Sequence, residues 1–133
     1  MEICTGIKST EDLIRFIKAG GTEFYCGVID DLWLSQYNYA VPLNRRPWSE
    51  ANFATFDTLE EAVKVAHSNN CKIFFTLNEH CYNAKQLEII RKYVEKLITI
   101  NVDAIIISDI ALIEFLRING YRNEIHMSTG GLV

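Results

Sequence analysis

The sequence predicts an α/β fold that forms part of a TIM-like (β/α) barrel, with five parallel strands in sequential order and four helices. Three observations lead there. Short apolar runs alternate with longer amphipathic stretches along the 133 residues. A polar or glycine residue closes each apolar run, at Thr5-Gly6, Gly27, Thr76 to Glu79, Ser108-Asp109 and Ser128-Thr129. The run Ala104 to Ile107 is apolar without alternation, as expected of a parallel strand covered on both faces. In parallel α/β folds chemistry gathers where strands end and loops begin, so the five endings would share one rim.

Met1 to Thr5 reads as the first strand. Ser9 then offers a hydroxyl cap, and Glu11 and Asp12 place acids beside the free N–H groups of a helix start. That helix runs to about Ala19 with Leu13, Ile14 and Ile17 on one stripe, and Gly20-Gly21 supplies its left-handed stop. Glu23 to Val28 is the second strand. Thr58-Leu59-Glu60-Glu61 reads as a capping box opening the next helix, which Asn69-Asn70 closes. Cys71 to Leu77 gives the third strand. Asn83 and Gln86 open a helix whose apolar face is Leu87, Ile90, Val94, Leu97 and Ile98. After the strand Ala104 to Ile107, Asp109 can cap a helix carrying Leu112, Ile113 and Leu116, ended by Gly120. A last strand runs from Glu124 to Ser128.

The sequence stops at Gly130-Gly131-Leu132-Val133, where another helix is due, so 1–133 reads as one incomplete barrel domain, the N-terminal part of a longer architecture. The competing fold is a flavodoxin-like open sheet, which places strand one between two and three; strand order separates the two.

One connection departs from the repeat. Ile29 to Asp57 is far longer than the usual 2–6 residues of a strand–helix link, and it holds Trp33, Tyr37, Tyr39, Arg45-Arg46, Trp48 and Phe53. Aromatic rings supply contact area and arginines supply planar forks for carboxylate or phosphate, so this segment is a candidate binding loop or lid for an anionic or peptide-like ligand. An ordered loop with solvated arginines is the plain alternative.

Lys plus Arg number 13 against 17 Asp plus Glu, a net charge of -4, which gives no global field toward nucleic acid or anionic membrane. No apolar stretch reaches the roughly 18–20 residues of a membrane span, and Met1-Glu2-Ile3 does not open a signal sequence, so a cytoplasmic location is expected. The four cysteines lack zinc-knuckle pairing or disulfide density. Cys4, Cys26 and Cys71 fall in or beside strands and read as small buried hydrophobes.

Candidate chemistry lies at the strand ends. Asn78-Glu79-His80-Cys81 puts an amide, carboxylate, imidazole and thiol in one loop. Glu79 is a candidate acid or base, and a Cys81–His80 pair is the less expected possibility, because sequence neighbours often point apart. Asp109 suits a general base as well as a helix cap. His126 and Ser128 share one side of the fifth strand, where His126 could equally be a satisfied core histidine. No Gly-rich phosphate loop, nucleophile elbow or HExxH pair is present, and no metal site is expected.

Taken together, Cys4-Thr5-Gly6, Ala19-Gly20-Gly21, Glu23-Phe24-Tyr25-Cys26-Gly27, Asn44-Arg45-Arg46 with Asn52-Phe53, Phe75-Thr76-Leu77-Asn78, Ser108-Asp109 and His126-Met127-Ser128-Thr129 resemble the collagenase-like peptidases, class U thirty-two of the peptidases, where U marks an unassigned catalytic type. The resemblance runs through the whole chain in motif order. It implies the N-terminal portion of a TIM-like barrel and a hydrolase that cleaves peptide bonds in a peptide or protein substrate. Other members of the family hydroxylate transfer RNA, ribosomal RNA or ubiquinone precursors without oxygen, using an iron-sulfur cluster, and that is the alternative function; its cluster cysteines lie beyond the region matched, and no cofactor is assigned to this chain. With the rim as the site, the expected catalytic residues are Glu79, Asp109 and His126, and the expected substrate-binding residues are Arg45, Arg46, Asn78, Ser128 and Thr129. RNA is the alternative partner, a membrane is not expected, and an inert fragment is the non-enzymatic reading. The outer strands should be completed by self-association or by a missing C-terminal part.

Overall fold

Five parallel strands pair in the order β1-β2-β3-β4-β5 in the computed structural model, which describes residues 1–129. The strands are β1 (Cys4–Gly6), β2 (Glu23–Cys26), β3 (Lys72–Leu77), β4 (Ala104–Ile107) and β5 (Glu124–Met127). This sequential order is that of a barrel wall and excludes the flavodoxin-like arrangement. The expected further helix at Gly130–Val133 lies outside the described residues.

Each helix starts where the local sequence can satisfy its free N–H groups. Ser9 accepts from Asp12 N to open α1 (Thr10–Lys18), and Gly20, at φ +99°, ends it. The segment between β2 and the next expected helix contains a helix not expected from the sequence, α2 (Asp31–Tyr37), so the described residues hold five α-helices in place of four. Asp30 caps it by accepting from Trp33 N, and Trp33 is wholly buried, its Nε1 donating to Val41 O at 3.0 Å. At seven residues it is held by that buried indole more than by helix propensity. A single 3-10 turn follows at Ser49–Ala51.

The helix α3 (Phe56–Ser68) begins three residues before the expected capping box: Thr55 is the cap, accepting from Thr58 N, and Thr58 lies inside the first turn. For α4 (Ala84–Ile100) the reciprocal Asn83–Gln86 box forms as the sequence indicates. Its buried face is rotated from the expected stripe, with Ile89 and Tyr93 joining Ile90, Val94 and Leu97 while Ile98 is exposed. On α1 only Leu13 of the expected stripe is buried, and Ile14 is exposed. The last helix, α5 (Ala111–Ile118), is preceded by Asp109, whose Oδ1 accepts from Ala111 N at 3.0 Å.

The core lies between the helices and one face of the sheet. Phe24, Cys26, Ile73, Phe75, Leu77, Ile105 and Ile107 alternate onto that face and are all buried, meeting Leu59, Val63, Ile90, Leu97 and Leu112 from the helices. His67 on α3 is a structural residue: its Nε2 lies 2.9 Å from Asp103 Oδ2, which also accepts from Ile73 N and so ties α3 to the start of β4. The opposite sheet face buries Phe74, Thr76 and Ala104 and leaves Tyr25, Ile106 and His126 partly exposed. Among the described residues no helix is long and apolar enough to cross a membrane.

Candidate functional site

Strand register places Gly6, Tyr25, Phe74, Ala104 and Glu124 in one layer across the sheet face opposite the helices, with Thr76, Ile106 and His126 in the layer above. Tyr25, Phe74, Thr76, Ile106 and His126 line a hollow of about 430 Å³ on this face. Its upper edge is formed by Arg46, Asn78, Ser128 and Thr129, with Cys4 at the side. Such a volume falls in the range of small-ligand pockets.

The long segment builds that upper edge. Gly27 O accepts from Phe53 N at 2.9 Å and Ile29 N donates to Phe53 O, so the segment returns alongside the end of β2. Two buried amides then lock it: Asn44 Nδ2 donates to Asn52 Oδ1 at 2.8 Å, and Asn52 Nδ2 donates to Arg46 O and Trp48 O. Arg46 N in turn donates to Asn44 Oδ1. This pair sits directly over Gly27, where a Cβ would strike both amides and approach Thr76 Oγ1 to 3.0 Å. Gly6 has the same role on β1, since a Cβ there would collide with Arg46 Nη1. The guanidinium of Arg46 lies over the Tyr25 ring, 5.4 Å from its centroid.

The expected site residues divide into two groups. Arg46, Asn78, His126, Ser128 and Thr129 meet at the hollow. His126 stacks edge-on against Phe74 with centroids 4.8 Å apart, and its Nε2 is 3.0 Å from Glu124 Oε2. Glu79 and Asp109 stand instead around Tyr82, outside the lining of the hollow. Tyr82 Oη donates to Leu43 O at 2.6 Å and accepts from Glu79 N at 3.1 Å. Burial holds the Tyr82 phenol above its ordinary pKa; the Glu79 N–H opposes this, and the charges of Glu79 and Asp109 add to the rise. The Glu79 carboxylate accepts from His80 N.

Asn78 joins the two groups, its carbonyl accepting from Ser108 Oγ at 2.9 Å and its Oδ1 from Arg45 N at 3.1 Å. Arg45 is exposed, and its side chain is not part of the hollow.

Tyr25, Phe74, Ile106 and Tyr82 were not singled out from sequence. Strand alternation from Gly27 and Thr76 could have found the first two. The third needs register, and the fourth follows only from the fold of the long segment. Cys4 corrects an expectation, because it is exposed beside the hollow, whereas Cys26 and Cys71 are buried as read. Burial, with the Glu23 charge adding, raises the Cys4 thiol pKa, and burial alone pushes Cys26 up to about 12, so neither is poised as a thiolate. Cys81 is exposed. Among the described residues no three His, Cys, Asp or Glu side chains converge as a metal site.

Comparison with known proteins bears on the fold and the family. No curated protein matches the sequence. The solved structure of the U32 peptidase Mk0906 superposes with a TM-score of 0.67 at 14% identity, over 100% of this chain and 50% of that one. The chain thus spans about half the length of that protein, and the likeness is one of fold. The sequence profile of peptidase family U32 matches residues 8–133, from the turn before α1 onward and through every strand-end motif after β1, and on that match the chain belongs to peptidase family U32.

Proposed function

We propose that this chain is the N-terminal part of a collagenase-like peptidase that hydrolyses peptide bonds at the C-terminal rim of its strands. The supporting observation is a family match across residues 8–133 in a chain where the polar ends of β3 and β5, with Arg46, border a ligand-sized hollow. In this reading Arg46, Asn78, Ser128 and Thr129 hold the substrate. Arg45, exposed above Asn78, meets its outer part. Glu79 and Asp109 supply the carboxylates for proton transfer, and His126 meets substrate from β5. The outer edges of β1 and β5 are completed by a further part of a longer chain or by a second copy. All four cysteines are unpaired, which suits action in the reducing cytoplasm.

The iron-sulfur alternative asks for clustered cysteines. Here Cys26 and Cys71 are enclosed in the core, Cys4 and Cys81 are exposed, and no three donors converge among the described residues. These four cysteines therefore hold no cluster; in that alternative the ligands lie beyond the matched region, and no step is derived through one.

The test is hydrolysis of fluorogenic peptides by the chain together with the part or second copy that completes β1 and β5 in this reading. Turnover is expected, with Asp109→Ala and Glu79→Ala abolishing it while the circular dichroism spectrum is unchanged. Absence of turnover on every peptide, or full activity in both variants, would defeat the reading.

A further inference from the structure

We propose that the guanidinium of Arg46 is the anchor for a carboxylate, and that the hollow below it receives a peptide segment in which that carboxylate neighbours an aromatic ring. The inference deepens the peptidase reading by naming a substrate class, and rests on it only in calling the ligand a substrate.

Four observations carry it. First, among the described residues the Arg46 guanidinium has neither an ion-pair nor a hydrogen-bond partner; it lies over the Tyr25 ring and against Gly6. Guanidinium groups present planar N–H forks that match a carboxylate with two parallel hydrogen bonds, and here the fork is unused.

Second, the backbone that carries it is fixed. Arg46 N donates to Asn44 Oδ1 at 2.9 Å and Arg46 O accepts from Asn52 Nδ2 at 2.6 Å, so both peptide groups of the residue are held by buried amides. A long cation on a pinned backbone, its guanidinium laid over an aromatic face, loses little further freedom when an anion arrives. Arg45 differs: it is exposed, and only its backbone is held, by Asn78.

Third, the remaining walls suit a flat apolar group. The ring of Phe74 meets His126 edge-on, Ile106 lies beside them, and the lining of the hollow contains no carboxylate. An aromatic ring entering there gains offset or edge contacts with two rings already in place.

Fourth, the strand ends carry a cation with no acid beside it, whereas the strand starts carry both signs: Glu124, engaged by His126, and Glu23, in register with Lys72. A ligand with an anionic end is therefore favoured with its carboxylate toward the rim.

Binding, which needs no turnover, tests this separately from peptidase activity. N-acetyl-phenylalanine and its C-terminal amide are titrated into the chain by calorimetry. The acid is expected to bind at least about tenfold more tightly than the amide. Arg46→Gln should bring the acid down to the level of the amide, Arg46→Lys should restore part of the difference, and Arg91→Gln, which breaks only a surface pair with Glu95, should leave it unchanged. In the unmutated protein, amide chemical shifts of Gly6, Tyr25 and His126 should move on saturation with the acid, which keeps the test valid if the Arg46 variants misfold. Equal binding of acid and amide, no binding in the millimolar range, or shifts confined to other surfaces would overturn the proposal. Acid-selective binding with no hydrolysis of any peptide would leave it standing and sink the peptidase reading alone.

Discussion

Replacing Gly27 by alanine should detach the long segment from the rim. Gly27 is buried, and its ideal Cβ would lie closer than 3.0 Å to both Asn44 Nδ2 and Asn52 Oδ1, the two atoms of a 2.8 Å hydrogen bond. One methyl group cannot enter without parting them. Leaving a buried amide without its partner costs about 1–3 kcal/mol, and forcing extra volume into a packed site adds roughly 1–3 kcal/mol. A loss of about 3 kcal/mol is expected, which at a slope of ~1.5 kcal/mol per M moves the urea midpoint down by roughly 2 M.

Gly20→Ala is the matched control. At φ +99° it has nothing within 4 Å of its Cβ, so its cost is conformational only, about 1 kcal/mol. Urea denaturation followed by far-ultraviolet circular dichroism reads both. If Gly27→Ala loses no more than Gly20→Ala, the argument that close approach of the two asparagines requires a glycine is wrong. Hydrogen exchange gives an independent reading, since the amides of Arg46 and Phe53 should lose protection in Gly27→Ala and keep it in Gly20→Ala.

Two further outcomes follow. Thiol labelling under native conditions should modify Cys4 and Cys81 and spare Cys26 and Cys71 until denaturant is added; rapid labelling of all four would contradict the assigned burial. Stability should also fall as pH rises above about 9, because Cys26 keeps its proton in the folded state up to about 12 while the unfolded chain releases it near 9.0. The folded state then binds more protons and the slope is negative, up to about 1.4 kcal/mol per pH unit for this group, and a urea midpoint constant between pH 9 and 11 would refute it.

The repeat of apolar run and polar tip was enough to reach the parallel sheet and its strand order, because each strand–helix unit closes with local signals. Asn83 with Gln86 and Ser9 with Asp12 are complete within four residues, and both form as read. What the sequence did not disclose depends on distant partners. Nothing near Asp31 indicates that Trp33 will be buried with its indole on Val41 O, so α2 was read as loop. Thr55 and Thr58 are both plausible caps, and the choice falls to Thr55 because Phe56 is needed in the core against Phe75 and Tyr93. Cys4 looked like a core residue by type, yet it lies on the sheet face opposite the helices, a distinction that turns on strand phase. The rim residues were legible as a set; their division between the hollow and Tyr82 was not, since it is made by contacts of Leu43 and Arg45 with residues more than thirty positions away.

Those contacts assign the long segment a role that strand tips alone could not fill. The tips of β1 and β2 are glycines, Gly6 and Gly27, which contribute space and no functional group. Over those two strands the chemistry comes from the segment, Arg46 above Gly6 and the Asn44–Asn52 pair above Gly27. Over β3 to β5 the strands present their own side chains, Thr76, Asn78, Ser108, His126 and Ser128. Small residues at one half of the rim and polar ones at the other are therefore two parts of one arrangement. A larger residue at Gly6 or Gly27 would push away the arginine and the amides that the first two strands lack, and the hollow would lose its cation while every strand stayed in place.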